Sequence, residues 1–173
     1  FTILADSGDN PTAGGVGSRI DVLEYVFKNK IENTLFAGIY NEEIFRELKN
    51  KKNKIVIKDN ISKKKISISI DKFYLKNDNA IVISNNNTVI FTKYRKPFHY
   101  LSDFRELNIN LKKYKILIVK SGYLSPELKN LKADNFMILT DGFVTQDFKR
   151  IKNLFREKPI YPFQKNFKYN IAI

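Results

Sequence analysis

The sequence has 173 residues, a formal net charge of +13 and no cysteine. This length suits one well-buried core and is short for two. The lack of cysteine excludes disulfides, cysteine-based zinc sites and cysteine nucleophiles. With a single histidine, His99, the chain cannot build a histidine-rich zinc site from its own residues. No stretch approaches the roughly 18 consecutive apolar residues of a membrane span, and no signal segment is evident. We therefore expect a cytoplasmic protein without a membrane partner.

The positive charge comes mainly from lysine and raises the question of a nucleic-acid partner. Lysine is also the residue that shields sheet edges and maintains solubility, whereas arginine dominates the recognition of bases. A solvated surface is the favoured interpretation, and a basic nucleic-acid-binding domain is the weaker alternative.

The most informative stretch lies near the start of the chain. An apolar run over residues 1–5 leads into Asp6 and Asp9, an Asn-Pro turn and three closely spaced glycines. A helical apolar pattern follows over residues 18–29. Strand, glycine-rich loop and helix N-terminus together form a place where free backbone amides attract anions and the backbone can approach a ligand closely.

Two interpretations of this loop remain open on the residues alone. Asp6 and Asp9 could bind a metal or orient a base. They could instead cap the loop, with Ser18 as the helix N-cap and Asp21 three residues later in a near capping box. Local capping commonly explains such residues. It predicts that replacement of Asp9 by alanine lowers stability, whereas a functional role predicts lost turnover with nearly unchanged stability.

The remaining pattern predicts an α/β fold with α+β character in the middle third. Strand and helix alternate over residues 1–50, which indicates parallel strand-helix units. Short alternating strands follow over residues 54–94, with a hairpin at the asparagines 85–87. We expect a mixed sheet with an antiparallel hairpin insert and helices packed on the sheet.

The last third returns to strands and helices. Residues 115–119 are predicted to form a central strand that carries Lys120 and Ser121 at its carboxyl end, the end at which open sheets bind ligands. Pro126 is predicted to begin a helix. Further along we expect a buried strand, a helix and an extended segment, at residues 135–140, 146–155 and 159–162.

Polar groups thus follow two predicted strands. Asp6, Asp9 and Asn10 follow the first strand, and Lys120, Ser121 and Tyr123 follow the strand at 115–119. If the two strands are neighbours, these side chains converge at one edge of the sheet.

Several blocks of the sequence resemble one protein family. Residues 5–11 read Ala-Asp-Ser-Gly-Asp-Asn-Pro, and residues 119–128 read Val-Lys-Ser-Gly-Tyr-Leu-Ser-Pro-Glu-Leu. A closing region contains Thr-Asp-Gly at 140–142, Gln-Asp-Phe at 146–148 and Lys-Pro-Ile-Tyr-Pro at 158–162. In order and separation these blocks resemble the C-terminal domain of the microcystinase C (MlrC) metallopeptidase family.

This resemblance implies a function for a longer protein. The family hydrolyses small linear peptides with zinc, whose ligands lie mostly in an N-terminal domain. Residues 1–173 would then be a single domain excised from a two-domain protein, an expectation that also fits a chain beginning with Phe1. The resemblance implies that the isolated domain is inactive and binds no cofactor tightly, that the N-terminal domain and a small peptide are its partners, and that a homo-oligomer can form.

The resemblance also implies roles for residues of the motifs. Supporting catalytic roles fall to three side chains: Asp9 and Asp6 near the metal, with Asp9 as a possible metal ligand, and Lys120 near developing negative charge. Substrate binding falls to five residues: Asn10, Gly14, Gly15, Ser121 and Tyr123. The sequence departs from the family pattern at Thr12, Ala13 and Ser18. A non-catalytic interface module of a degenerate family member is therefore the alternative.

Overall fold

The computed structural model describes residues 1–50, 53–59 and 61–150. In these residues the strands are β1 (Thr2–Asp6), β2 (Thr34–Tyr40), β3 (Lys54–Lys58), β4 (Lys65–Ser69), β5 (Lys72–Lys76), β6 (Asn79–Ser84), β7 (Asn87–Thr92), β8 (Ile116–Val119) and β9 (Asp134–Ile138). The α-helices are α1 (Asp21–Lys28), α2 (Glu43–Lys49), α3 (Leu101–Glu106) and α4 (Pro126–Lys129). Three short 3₁₀ turns cover Pro11–Ala13, Leu111–Lys113 and Phe148–Arg150.

Seven of the strands form one mixed sheet in the order β5-β6-β7-β2-β8-β1-β9. Five neighbouring strands of this order are parallel to one another: β7, β2, β8, β1 and β9. Strands β6 and β5 extend the sheet beyond β7 with antiparallel pairs. The predicted α/β class with a mixed sheet and an antiparallel insert is confirmed. Strand β8 lies between β1 and β2, so the first two strand-helix units are parallel but not adjacent.

Both faces of the central strands are buried, because side chains alternate along each strand. Phe36 and Ile118 face the cluster beneath α1 and α2. Ile3, Leu35 and Leu117 face the opposite cluster, which includes residues of α3 and α4. The sheet centre is therefore covered on two sides, and polar groups can leave it only at the strand ends.

The middle third contains the predicted antiparallel elements. β3 and β4 form a separate two-stranded sheet that buries Ile55, Ile57 and Ile68 against the first cluster. β6 and β7 are joined at Asn85 and Asn86, which have φ of 48° and 59°. Asparagine tolerates this left-handed conformation and so favours a tight hairpin.

The predicted cap of α1 is wrong. Ile20, not Ser18, occupies the N-cap position, and its side chain makes no capping hydrogen bond. The Ser18 hydroxyl is buried and has no hydrogen-bond partner in the part of the chain that the structure describes. Residues 18–20 instead approach the helix as an irregular segment, in which the Arg19 amide donates to Asp9 of the preceding loop.

The prediction of a buried strand at 135–140 is wrong about burial. β9 forms there, but it lies at the edge of the sheet and pairs only with β1 among the described strands. Phe136 and Met137 are 60% and 40% exposed. An apolar run identifies a strand but does not say on which sides it will be covered.

Two predictions at the end of the chain lie wholly or partly outside the described residues. The predicted helix at 146–155 contains a short 3₁₀ turn at Phe148–Arg150, and its remainder falls beyond residue 150. The extended segment at 159–162 falls there too. Within the described ranges, no helix has the length and apolar character needed to cross a lipid bilayer.

Candidate functional site

The candidate site begins where β1 and β8 end side by side. Their parallel register places Ala5 opposite Val119, so the next residues, Asp6 and Lys120, are also neighbours. The Lys120 ammonium donates to Asp6 Oδ2 at 3.0 Å. The Ser121 amide donates to the Asp6 carbonyl at 3.1 Å. The predicted convergence of the two strand ends therefore occurs.

Asp9 joins the same cluster from the loop after β1. Its Oδ2 accepts from the Lys120 ammonium at 3.1 Å and from the Arg19 amide at 2.7 Å. Its Oδ1 accepts from the Gly17 amide at 2.9 Å. One carboxylate thus connects the end of β8 with the segment that leads into α1.

Thr140 completes the cluster. It was not identified as a site residue from the sequence, although it lies in the Thr-Asp-Gly block. The Thr140 hydroxyl donates to Asp6 Oδ1, and its oxygen, Thr140 Oγ1, accepts from the Gly8 amide at 3.2 Å. The residue follows β9, which pairs with the other side of β1. Three neighbouring parallel strands therefore contribute to the cluster.

The Asp6-Asp9-Lys120 cluster is removed from solvent. Asp6, Asp9 and Lys120 are 4%, 0% and 5% exposed. Burial by itself lowers the pKa of the Lys120 ammonium, but the charges and hydrogen bonds of Asp6 and Asp9 together outweigh burial and raise that pKa above its ordinary value. Lys120 is therefore a permanent cation at neutral pH that holds two carboxylates together.

Space around the cluster is small. A cavity of about 10 Å³ lies beside Asp6, Arg19 and Lys120, beneath the start of α1. A cavity of this size holds at most one water molecule. A peptide cannot reach the Lys120 ammonium through it, so in this conformation Lys120 acts on the loops and not on a substrate.

The glycine-rich loop after β1, residues 7–18, which we call the glycine loop, is shaped by hydrogen bonds of its own. Asn10 Oδ1 accepts from the Thr12 amide at 3.0 Å, and the Asn10 carbonyl accepts from the Gly15 amide at 2.8 Å. Gly15 is buried, and a Cβ atom there would lie 2.6–2.8 Å from backbone atoms of Asp9 and Asn10. Gly14 is exposed, has a φ of +101° and has open space where a Cβ would stand. The tip of the loop is thus presented to solvent on a tightly packed base.

The other predicted substrate-binding residues lie beside this loop. The Ser121 hydroxyl is buried and donates to the Tyr123 carbonyl, while the Tyr123 side chain is 79% exposed. A Cβ on Gly122 would lie 3.2 Å from Asn10 Nδ2 and 2.8 Å from Gln146 Nε2. The loops after β1, β8 and β9 therefore meet at Asn10, with the aromatic ring of Tyr123 free at their rim.

A second ionic group flanks the site at the start of α1. Arg19 Nε and Nη2 each lie 2.8 Å from Asp21 Oδ2, and Lys64 Nζ lies 2.6 Å from Asp21 Oδ1. Burial raises the pKa of the Asp21 carboxyl, but Lys64 and Arg19 outweigh burial and hold that pKa below its usual value. This group holds the entry to α1 against the β3–β4 hairpin.

The described residues do not fit a zinc site. Across residues 1–50, 53–59 and 61–150, no group of three or more histidine, cysteine or acidic side chains is arranged to hold a metal ion. The acidic pair Asp6 and Asp9 is already bonded to Lys120, to Thr140 and to backbone amides. A resident zinc would need ligands from outside this set of residues.

Comparison with known proteins places this arrangement in a family. Among curated protein sequences, none matches the chain significantly. A solved structure from Mesorhizobium sp. BNC1, described as a candidate metallopeptidase, superimposes with a TM-score of 0.69 at 12% sequence identity, which shows a shared fold. The match covers 98% of this chain and 39% of that one, so the chain spans less than half the length of this neighbour. The model of the family described as the MlrC C-terminus matches residues 4–53 and 57–153. The matched residues include both strand ends of the Asp6-Asp9-Lys120 cluster and make up most of the chain. The chain therefore belongs to the MlrC C-terminal family.

Proposed function

We propose that this chain is the C-terminal domain of an MlrC-like zinc metallopeptidase that hydrolyses small linear peptides. In this proposal the zinc ligands belong to an N-terminal domain, and the present domain supplies loops at the edge of the active site. The observation that carries the proposal is the family match across both loop-bearing blocks, together with the hydrogen-bonded glycine loop that meets Gly122, the residue before Tyr123, at Asn10.

The Asp6-Asp9-Lys120 cluster contributes by positioning. Lys120 and Asp9 connect the carboxyl end of β8 to the glycine loop, and Asp6 and Thr140 add the loop after β9. A loop held in one geometry loses little conformational entropy when it binds a ligand. The proposed metal-proximal roles of Asp6 and Asp9 are therefore exerted through the loop backbone, because both carboxylates are buried and bonded to Lys120, to Thr140 or to backbone amides.

Substrate contact is proposed for the exposed rim. The tip of the loop at Gly14 is exposed, while Asn10 is 6% exposed and places its Nδ2 beside Gly122, just beneath the rim at the junction of three loops. Backbone amides and a side-chain amide at such a junction suit the carbonyl or carboxylate oxygens of a peptide. The Tyr123 ring adds an apolar surface for a neighbouring side chain. Gly15 and Ser121 support this rim from below, since their polar groups bond to Asn10 and Tyr123.

The test uses the whole polypeptide that contains this chain. Its metal content is measured by inductively coupled plasma mass spectrometry, and hydrolysis of linear peptides is followed by chromatography. We expect stoichiometric zinc, turnover, and a KM raised at least about tenfold in Tyr123→Ala, as expected for a lost aromatic contact of about 1.4 kcal/mol. Tyr25→Ala is the matched control, because Tyr25 is 63% exposed on α1. A metal-free, inactive protein would disprove the proposal.

The interface-module alternative is favoured by one observation. Asp6, Asp9 and Lys120 satisfy one another and are sealed from solvent, which a purely structural cluster would also show. That alternative predicts no zinc and no turnover in the whole protein, with stability lost when the cluster is broken. The metal measurement therefore separates the two functions.

A further inference from the structure

Exposed large apolar side chains are concentrated in one part of the described chain. Six of them fall within residues 123–148, and six are spread over residues 1–122. The first six are Tyr123, Phe136, Met137, Leu139, Phe143 and Phe148. Concentrated exposed apolar residues indicate an interaction surface, whereas isolated ones are ordinary.

Part of this set lines one groove, which we call the β9 groove. It is lined by Tyr123, Leu124, Asn135 and Met137, with Lys129 at its side, and has a volume of about 220 Å³. It exists because β9 is the last described strand of the sheet and α4, four residues long, covers little of the face beside it. The groove is therefore an apolar surface with one cation beside it.

The β9 groove is continuous with the candidate site. Tyr123 lines the groove and directly follows Gly122, which contacts Asn10 of the glycine loop. On the other side of that loop, Gly142 packs against Gly8, and Phe143 follows it with 69% exposure. A protein domain packed in the groove would therefore also contact the loops that the proposed function places at the edge of the active site.

We propose that the β9 groove is the surface on which the N-terminal metallopeptidase domain packs. The inference rests on the proposed function, from which it takes its occupant. It is supported by length, since the match covers 39% of the neighbouring structure's chain and leaves most of that protein outside the equivalent region. The complementary surface is an apolar segment with an acidic residue opposite Lys129, because exposed aromatics at such contacts serve as anchors and a paired charge sets register.

The experiment replaces Met137, whose strand position faces the groove, by the photocrosslinking residue p-benzoylphenylalanine in the whole polypeptide. Met137 is 40% exposed on the last described strand of the sheet, so the sheet should form with this larger side chain. After irradiation, mass spectrometry identifies the peptide attached at position 137. We expect a peptide encoded upstream of Phe1, in a product that migrates as a monomer on a denaturing gel. Leu75 is the control position, because β5 lies at the opposite edge of the sheet and Leu75 is 46% exposed; it should not give this product.

Three outcomes would overturn the inference. Attachment to a peptide from residues 151–173 would show that the chain covers its own groove. A product of twice the monomer mass would show that a second copy covers it. No attachment above that at position 75 would show an open surface.

Metal content and peptide hydrolysis are measured on the same preparations, so the two proposals fail separately. A metal-free protein that still crosslinks to the upstream peptide disproves the proposed peptidase and supports the interface. A zinc-containing, active protein that crosslinks elsewhere disproves only the interface.

Discussion

Lys120 at the end of β8 and Asp9 in the loop after β1 are 111 positions apart in sequence, and their charged atoms lie 3.1 Å apart in a site closed to solvent. The contact connects the centre of the sheet to the glycine loop. Since Asp9 also accepts hydrogen bonds from the amides of Gly17 and Arg19, this pair joins the end of β8 to both the loop and the segment that leads into α1.

Replacement of Lys120 by methionine should therefore destabilise the protein strongly. It would leave Asp6 and Asp9 buried without their cation, which typically costs about 3–5 kcal/mol. Urea unfolding followed by circular dichroism measures the change. Lys112→Met is the control, because Lys112 is an exposed lysine of the 3₁₀ turn Leu111–Lys113, and it should change stability by less than about 0.5 kcal/mol. Equal stabilities of the two variants would contradict the positioning role.

Replacement of Asp9 by alanine tests the other side of the pair. On sequence alone, a functional role predicted nearly unchanged stability and a capping role predicted a loss. Asp9 is fully buried and accepts three hydrogen bonds, one of them from a cation. We now expect a loss of at least about 3 kcal/mol, because the variant leaves Lys120 with one counter-charge and two amides unsatisfied. A stable variant would show that the loop has another anchor.

The pair also predicts a pH dependence. Because the folded-state pKa of Lys120 lies above its ordinary value of 10.5, the stabilisation it contributes is fully present below pH 10.5. It is lost as the pH rises through the folded-state value. The difference in unfolding free energy between wild type and Lys120→Met should stay constant from neutral pH to about pH 10.5 and shrink above it. A difference that shrinks already below pH 9 would mean that the pKa of Lys120 is lowered.

Two adjacent glycines should respond differently to alanine. In Gly15→Ala the new Cβ would meet backbone atoms of Asp9 and Asn10 at 2.6–2.8 Å, so the loop must move. In Gly14→Ala no atom lies within 4 Å, and the cost is the left-handed conformation alone, about 1–2 kcal/mol. Thermal unfolding should give a clearly lower melting temperature for Gly15→Ala than for Gly14→Ala. In the active whole protein, Gly15→Ala should also lose more turnover, and the reverse order would contradict the packing of the loop base.

Thr140 should contribute through its hydroxyl. Thr140→Val keeps the shape but removes the donor to Asp6 and the acceptor for the Gly8 amide, which predicts a loss of about 1–3 kcal/mol. Thr140→Ser retains the hydroxyl and should recover most of the loss. Chemical denaturation of the two variants makes the comparison. A fully stable Thr140→Val would show that the loop after β9 is held without this contact.

Much of the fold was predictable from local patterns. The alternation of strand and helix patterns over residues 1–50 predicted the units β1-α1 and β2-α2, and the asparagines at 85 and 86 marked the β6–β7 turn because that residue type tolerates positive φ. Ser18, by contrast, was predicted as a cap and is not one. Asp9, nine positions before Ser18, instead accepts from the amides of Gly17 and Arg19 in the segment before α1, a placement that no local pattern specifies.

The sequence by itself determined the family and the residue types that stand at the strand ends, since strand periodicity and the Asp-Asn-Pro and Val-Lys-Ser-Gly blocks are local. Only the tertiary structure decided that β8 lies between β1 and β2, because strand order depends on how whole layers pack and not on any one segment. That order places Lys120 against Asp6 and Asp9. It also leaves β9 at the sheet edge, where an apolar strand expected in the core exposes its side chains.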